Sequence, residues 1–208
     1  MQSRRLLVRP FAAMTAGLLA ACGSVPTHFY TLLPPAQPNA ATIAAAAFAI
    51  EVAPVAVPTE VDQAQWIVRT GQGEVALLEN ERWAAPLGDE LRAAFADELT
   101  RLLGARDVYN SSKRPGQAVY HIQVHVRRFE SVPGQHALIE ADWSIARRDG
   151  TVGPTLECQS RASQSVEPGY AALAVGHQRA IAAIAARIAL AVRGAAANAI
   201  ACPPVEQE

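Results

Sequence analysis

Between residues 119 and 165 the chain alternates apolar and polar positions with a period of two. Tyr120, Ile122, Val124 and Val126 fall on one side, and His121, Gln123, His125 and Arg127 on the other. Ala137, Ile139, Ala141, Trp143 and Ile145 alternate in the same way with Glu140, Asp142 and Ser144. This period marks strands with one buried face. Pro133-Gly134 turns the chain between the two runs, and Asp149-Gly150 signals a second hairpin before a third strand at 154–164. Three such strands predict an antiparallel meander packed on one side. Upstream, Phe48, Ile50 and Val52 share a face within 48–57, and Pro54 and Pro58 end that strand or confine it to an edge. Two short strand-like runs, 65–70 and 74–78, flank Gly71-Gln72-Gly73, which reads as a tight hairpin loop. A phosphate loop would need a following Lys-Ser/Thr and a helix start, and neither is there.

Two segments carry the helical period instead. After Pro86, suited to a first helical position, Leu87, Leu91, Phe95, Leu99 and Leu102 form one stripe. Arg92, Asp97, Glu98 and Arg101 read as its wet face, and Gly104 as its C-terminal stop. A short strand near 106–109 follows. The second helix spans roughly 168–197, with Leu173, Ile181, Ile184, Ile188 and Val192 as its stripe. The fold class is therefore α+β: a mainly antiparallel sheet with two long helices packed on one face.

The N-terminus has a different pattern. Arg4, Arg5 and Arg9 precede an uncharged apolar run, 11–21, too short to span a bilayer and ordered like an export signal. Leu19-Ala20-Ala21-Cys22 matches the lipobox pattern of a bacterial lipoprotein. The Cys22 thiol takes the diacylglycerol, the signal is cut before it, and the new amine can take a further acyl group such as palmitate. The competing reading is a plain secretory signal with a chance Cys. Gly23, where Asp would favour inner-membrane retention, points to the periplasmic face of the outer membrane. The expected organisation is a signal at 1–21, a lipidated N-terminus and flexible linker at 22–45, one domain at 46–200 and a disordered tail at 201–208.

Removal of the signal takes three of the chain's 18 basic residues and none of its 19 acidic ones, so the mature chain is mildly acidic and offers no basic face for nucleic acid. Cys158 and Cys202 remain, an even number in an oxidising compartment, either as a disulfide or as two free thiols. Two Cys without clustered His do not complete a metal site. His121 and His125 are about 13 Å apart along a strand, too far to share an ion. His177 reads as a helix-surface or interface residue, and Asp89-Glu90 and Asp97-Glu98 as solvated helix positions. No nucleophile elbow, zinc-protease motif or Walker loop occurs. No catalytic set, metal or cofactor is expected.

Taken in order, these segments resemble the PqiC family, also described as ABC-type transport auxiliary lipoproteins. That family's aromatic-Tyr-x-Leu segment after the anchor is matched by Phe29-Tyr30-Thr31-Leu32. Its Trp-Ala-x-Pro-Leu-like segment before a helix is matched by Trp83, Pro86, Leu87 and Leu91. The resemblance implies a non-catalytic outer-membrane component of an MCE/ABC-type lipid transport system. It would dock a periplasm-spanning MCE-domain protein served by a permease and ATPase, form a homo-oligomeric ring, and have phospholipid as candidate cargo. The Cys158/Cys202 pair and the Ala-rich final helix depart from the pattern. Tyr30, in the shared segment, and Trp66, beside the exposed hairpin, are candidate partner-interface residues. Trp83 reads as a core staple at the helix start. The alternatives are an envelope scaffold for another outer-membrane complex and a periplasmic hydrolase.

Overall fold

The computed structural model describes residues 25–36, 44–148 and 154–204. Cys22 and the Asp149-Gly150 turn lie outside them. The elements run β1 (His28–Tyr30), β2 (Ala49–Val52), β3 (Gln65–Arg69), β4 (Val75–Trp83), α1 (Leu87–Leu103), β5 (Val119–Val132), β6 (His136–Arg147), β7 (Leu156–Ser165) and α2 (Tyr170–Ala196).

The fold is α+β, and its sheets are mixed. The larger sheet has the order β2-β5-β6-β7. The meander β5-β6-β7 is antiparallel, and β2 is parallel to β5. A second sheet has the order β1-β4-β3, with β1 parallel to β4 and β3 antiparallel to it. Three of the five strand pairs are antiparallel, in line with the mainly antiparallel expectation, and the two parallel pairs make both sheets mixed. Alternation along one strand shows which face is wet but not which way its neighbour runs. The predicted strand near 106–109 is reduced to one bridge, Ile50 to Asp107.

Helix α1 buries Leu87, Leu91, Phe95 and Leu99 completely. The stripe continues to Leu103 rather than Leu102, because the buried face steps by four residues to the end. Gly104 closes the helix with φ 62° and returns its N–H to the Thr100 carbonyl at 3.0 Å. Glu98 does not face water: it is 8% exposed and paired with Arg101. Helix α2 lies along β6 and β7 and against α1, and its buried alanines, Ala180, Ala185 and Ala189 among them, let it approach closely. At Gly176 a Cβ would stand 2.3 Å from Val166 Cγ1.

Two ends of the domain move from their expected places. The stretch read as linker contains β1, paired with β4, and Leu32, which is fully buried. Glu90 Oε2 accepts hydrogen bonds from Thr31 Oγ1 at 2.7 Å and the Leu32 N–H at 2.8 Å. Glu90 is thus a fastener between the N-terminal segment and α1, not a solvated acid. At the other end, Ala199 N–H returns to the Gly194 carbonyl at 2.8 Å, and the Arg187 guanidinium donates to the Pro203 and Pro204 carbonyls at 3.2 and 2.6 Å. The tail is therefore held as far as residue 204, against the expectation of disorder from 201.

Candidate functional site

The β3–β4 hairpin, the β5 bulge and the N-terminal segment place most of the side chains with candidate chemistry. Strand β5 loses its alternation between Val126 and Arg128, where its register with β6 shifts. Arg127 and Arg128 both face out as a result, and the residues after them, Phe129 to Val132, are all buried.

Glu130 is 8% exposed and sits at the centre of this region. It receives Arg69 Nε at 2.6 Å, Arg128 Nη2 at 2.7 Å and His136 Nε2 at 3.0 Å. Burial opposes ionisation, but the hydrogen bonds from Arg128, His136 and Arg69 outweigh it and hold the carboxyl down at about 2. Above the cluster lies an open groove of about 500 Å³, with Val61, Ile67 and Val75 as apolar wall and Arg127 and Glu140 as polar wall. Val75 is 57% and Leu77 43% exposed. The groove can present matched charge beside apolar surface, which suits a protein surface.

Beneath it runs a sealed polar chain. The Trp66 indole N–H donates to Ser131 Oγ at 2.9 Å, and Ser131 Oγ and His177 Nε2 share a hydrogen bond at 2.7 Å. His177 is stacked on Phe129 at 4.0 Å between centroids and is fully buried, not on a helix surface. Burial first, then the charge of His136, pushes its pKa down to about 3, so the ring is neutral at ordinary pH. A Ser–His contact invites a hydrolase reading, but Ser131 is 2% exposed and His177 is fully buried. The pair ties α2 to β5, together with the stack of His177 on Phe129.

Trp66 is 1% exposed, with its ring 4.2 Å from that of Trp83. Its candidacy as an interface residue is overturned: the inward face of β3 carries it into the core. Tyr30 is half-buried, edge-on to Trp66, and its hydroxyl donates to Glu81 Oε2 at 2.6 Å. Burial and then Glu81 raise the Tyr30 pKa to about 12. Burial works against the Glu81 charge, but hydrogen bonds from Tyr30 and His28 hold its pKa below the usual value. Trp83 is buried, in keeping with the staple reading.

Cys158 and Cys202 are joined as a disulfide, Cα to Cα 5.8 Å. It stands beside an open basin of about 830 Å³ on the polar face of the larger sheet, lined by Gln123, His125, Asp142, Ser144 and Gln159. Arg127 offsets Asp142 there at 3.1 Å. Among the described residues no group of three or more His, Cys, Asp and Glu is placed to hold a metal ion. His121 faces Glu51 at 3.5 Å rather than His125. No described helix is long and apolar enough to cross a membrane. Sequence reasoning did not find Glu130, Ser131 or Glu90. The one signal for the first two was the doublet Arg127-Arg128, which breaks the alternation just before them.

Solved structures share this fold. One, of an uncharacterized protein, is 18% identical with a TM-score of 0.63, covering 81% of this chain and 99% of its own. Another, from Xanthomonas campestris, is 20% identical with a TM-score of 0.54, covering 83% and 98%. No curated protein matches the sequence. The family model described as ABC-type transport auxiliary lipoprotein component matches residues 30–189. That span takes in every element from the end of β1 to most of α2, and the chain belongs to the family of ABC-type transport auxiliary lipoprotein components.

Proposed function

We propose that the chain is the non-catalytic, lipid-anchored component of an MCE/ABC-type lipid transport system, attached through Cys22 to the periplasmic face of the outer membrane. Its mature domain begins at the anchor, takes in β1, and docks the end of a periplasm-spanning MCE-domain protein served by a permease and ATPase. Phospholipid is the candidate cargo, and copies of the chain assemble as a ring. Family membership supports the transport role. The lipobox supports the anchor, and Gly23 supports the outer membrane.

The observation that carries docking is the β3–β4 hairpin. It leaves Val75 and Leu77 exposed beside a groove whose arginines and carboxylates are already fixed in place. Fixed charge around an apolar centre gives a partner specificity without new ordering cost. The test is a photoreactive amino acid at position 75 or 77 in living cells. Capture of an MCE-domain protein is expected. Capture of barrel-assembly or cell-wall proteins alone would move the chain to an envelope scaffold.

A further inference from the structure

The N-terminal segment has three large exposed apolar side chains: Val25 at 67%, Phe29 at 66% and Leu33 at 39%. Their neighbours Tyr30 and Leu32 turn inward, so the exposure of Phe29 is not that of a loose end. Phe29 stands on β1 with Arg82 of β4 as its cross-strand partner. Residues 31–33 are pinned from two sides. Glu90 takes Thr31 and Leu32, and the Gln178 amide donates to the carbonyls of Thr31 and Leu33 at 3.1 and 3.3 Å. Phe29 is thus held in a fixed direction by a sheet and two helices.

Chain length supplies the rest. Only residues 23–27 separate Cys22 from β1. Fully extended, the six steps from Cys22 to His28 reach about 21 Å, and the three steps to Val25 about 10 Å. A domain of this size is roughly 40 Å across. The anchor therefore ties one end of the domain, not the whole of it, to the bilayer. That end is the one that carries Val25, Phe29 and Leu33.

Resting on the Cys22 anchor proposed above, we infer that the β1 edge is a membrane-docking surface. Phe29, with Val25 and Leu33, enters the interfacial layer of the bilayer that holds the acyl chains, and Arg82 lies at the level of the lipid headgroups. An aromatic ring beside a guanidinium fits that layer, where one side of the contact is apolar and the other wet. The occupant is a lipid surface because the nearest apolar phase within reach of so short a tether is the membrane itself. The inference also orients the molecule. Strand β4 runs from Arg82, at the docked edge, to Val75, seven residues away, about 24 Å along the strand. The groove beside Val75 is thus separate from the docked edge.

The test uses the full chain, expressed with its signal and purified in lipidated form. It is reconstituted in phosphatidylcholine–phosphatidylglycerol vesicles containing dibrominated phosphatidylcholine, whose bromines quench tryptophan at short range. Phe29→Trp adds a reporter at an exposed position, and Leu190→Trp adds one at a position 56% exposed on α2. Residue 190 is twelve residues, about 18 Å, along the helix from Gln178. The native Trp66, Trp83 and Trp143 are 1–3% exposed and give a constant background. Loss of the emission added at position 29, with that at 190 retained, is expected. Floated, acylated protein in which the emission added at position 29 survives overturns the docking and leaves the anchor standing. Protein that neither floats nor shows acyl mass at Cys22 overturns the anchor, and the docking with it.

Discussion

Replacing Glu130 by Gln removes the anion on which Arg69, Arg128 and His136 converge, and keeps the side chain's size. The folded carboxyl sits at about 2 against an ordinary 4.5. A depressed folded-state value contributes stability above the unfolded pKa and loses it as pH falls from 4.5 toward 2. Each tenfold change in proton affinity is about 1.4 kcal/mol, so the full displacement corresponds to about 3 kcal/mol. Arg69 and Arg128 are 35% and 48% exposed, and solvent screening reduces this to about 2 kcal/mol. At pH 3 the folded carboxylate is still ionised while the unfolded one is protonated, and about 1 kcal/mol remains. Urea unfolding of E130Q and the parent chain, followed by tryptophan fluorescence, gives both numbers. A gap of about 2 kcal/mol at pH 7, or roughly 4–8 °C in Tm, is expected to shrink by about half at pH 3. An equal gap at the two pH values would refute the reasoning, since it would show that the Gln disturbs packing rather than charge.

The disulfide closes a segment with a separation of 44 residues, so Cys202→Ser or reduction is expected to cost up to about 4 kcal/mol in the chain-entropy treatment. Unfolding with and without reductant measures it, and unchanged stability would count against a bonded tail. Gly176→Ala forces a Cβ to within 2.3 Å of Val166 Cγ1 and is expected to cost about 1–3 kcal/mol. The double variant with Val166→Ala should recover much of that loss in thermal unfolding. Trp66→Phe leaves Ser131 without its indole donor and is expected to cost about 1–2 kcal/mol, measured by the urea midpoint. Cys22→Ser should abolish labelling by palmitate and release the protein from the membrane fraction.

The meander and both helices were legible because each has one face wet and one face dry. Tyr120, Ile122, Val124 and Val126 needed only the period of the strand, and Leu87 to Leu99 only that of the helix. The direction of pairing was legible where a tight turn joins the strands, and not for β1 and β2. Strands β1 and β2 lie parallel to partners 53 and 70 residues away in sequence, and that choice depends on the whole core. Buried polar residues were missed for a related reason. Glu90, Glu98 and His177 read as surface residues because their type favours water, and only their partners, Thr31 with the Leu32 N–H, Arg101 and Ser131, make burial tolerable. Trp66 failed in the other direction: proximity to an exposed hairpin marked it as accessible, while strand parity turned it inward. At the two ends, Pro-rich composition pointed to linker and tail, while β1 pairs with β4 inside the first stretch and the disulfide holds Cys202 in the second. The groove around Glu130 had a single trace, the Arg127-Arg128 doublet.

The central claim is that this anchored domain serves a lipid transport system by docking an MCE-domain partner. Affinity purification of the lipidated chain from envelopes under mild detergent, with mass spectrometry of co-purified proteins and lipids, tests it most directly. The account predicts an MCE-domain protein, its permease and ATPase, and bound phospholipid, with the partner lost when Val75 and Leu77 are replaced by Asp. Recovery of barrel-assembly or cell-wall components alone, unaffected by that change, would contradict it.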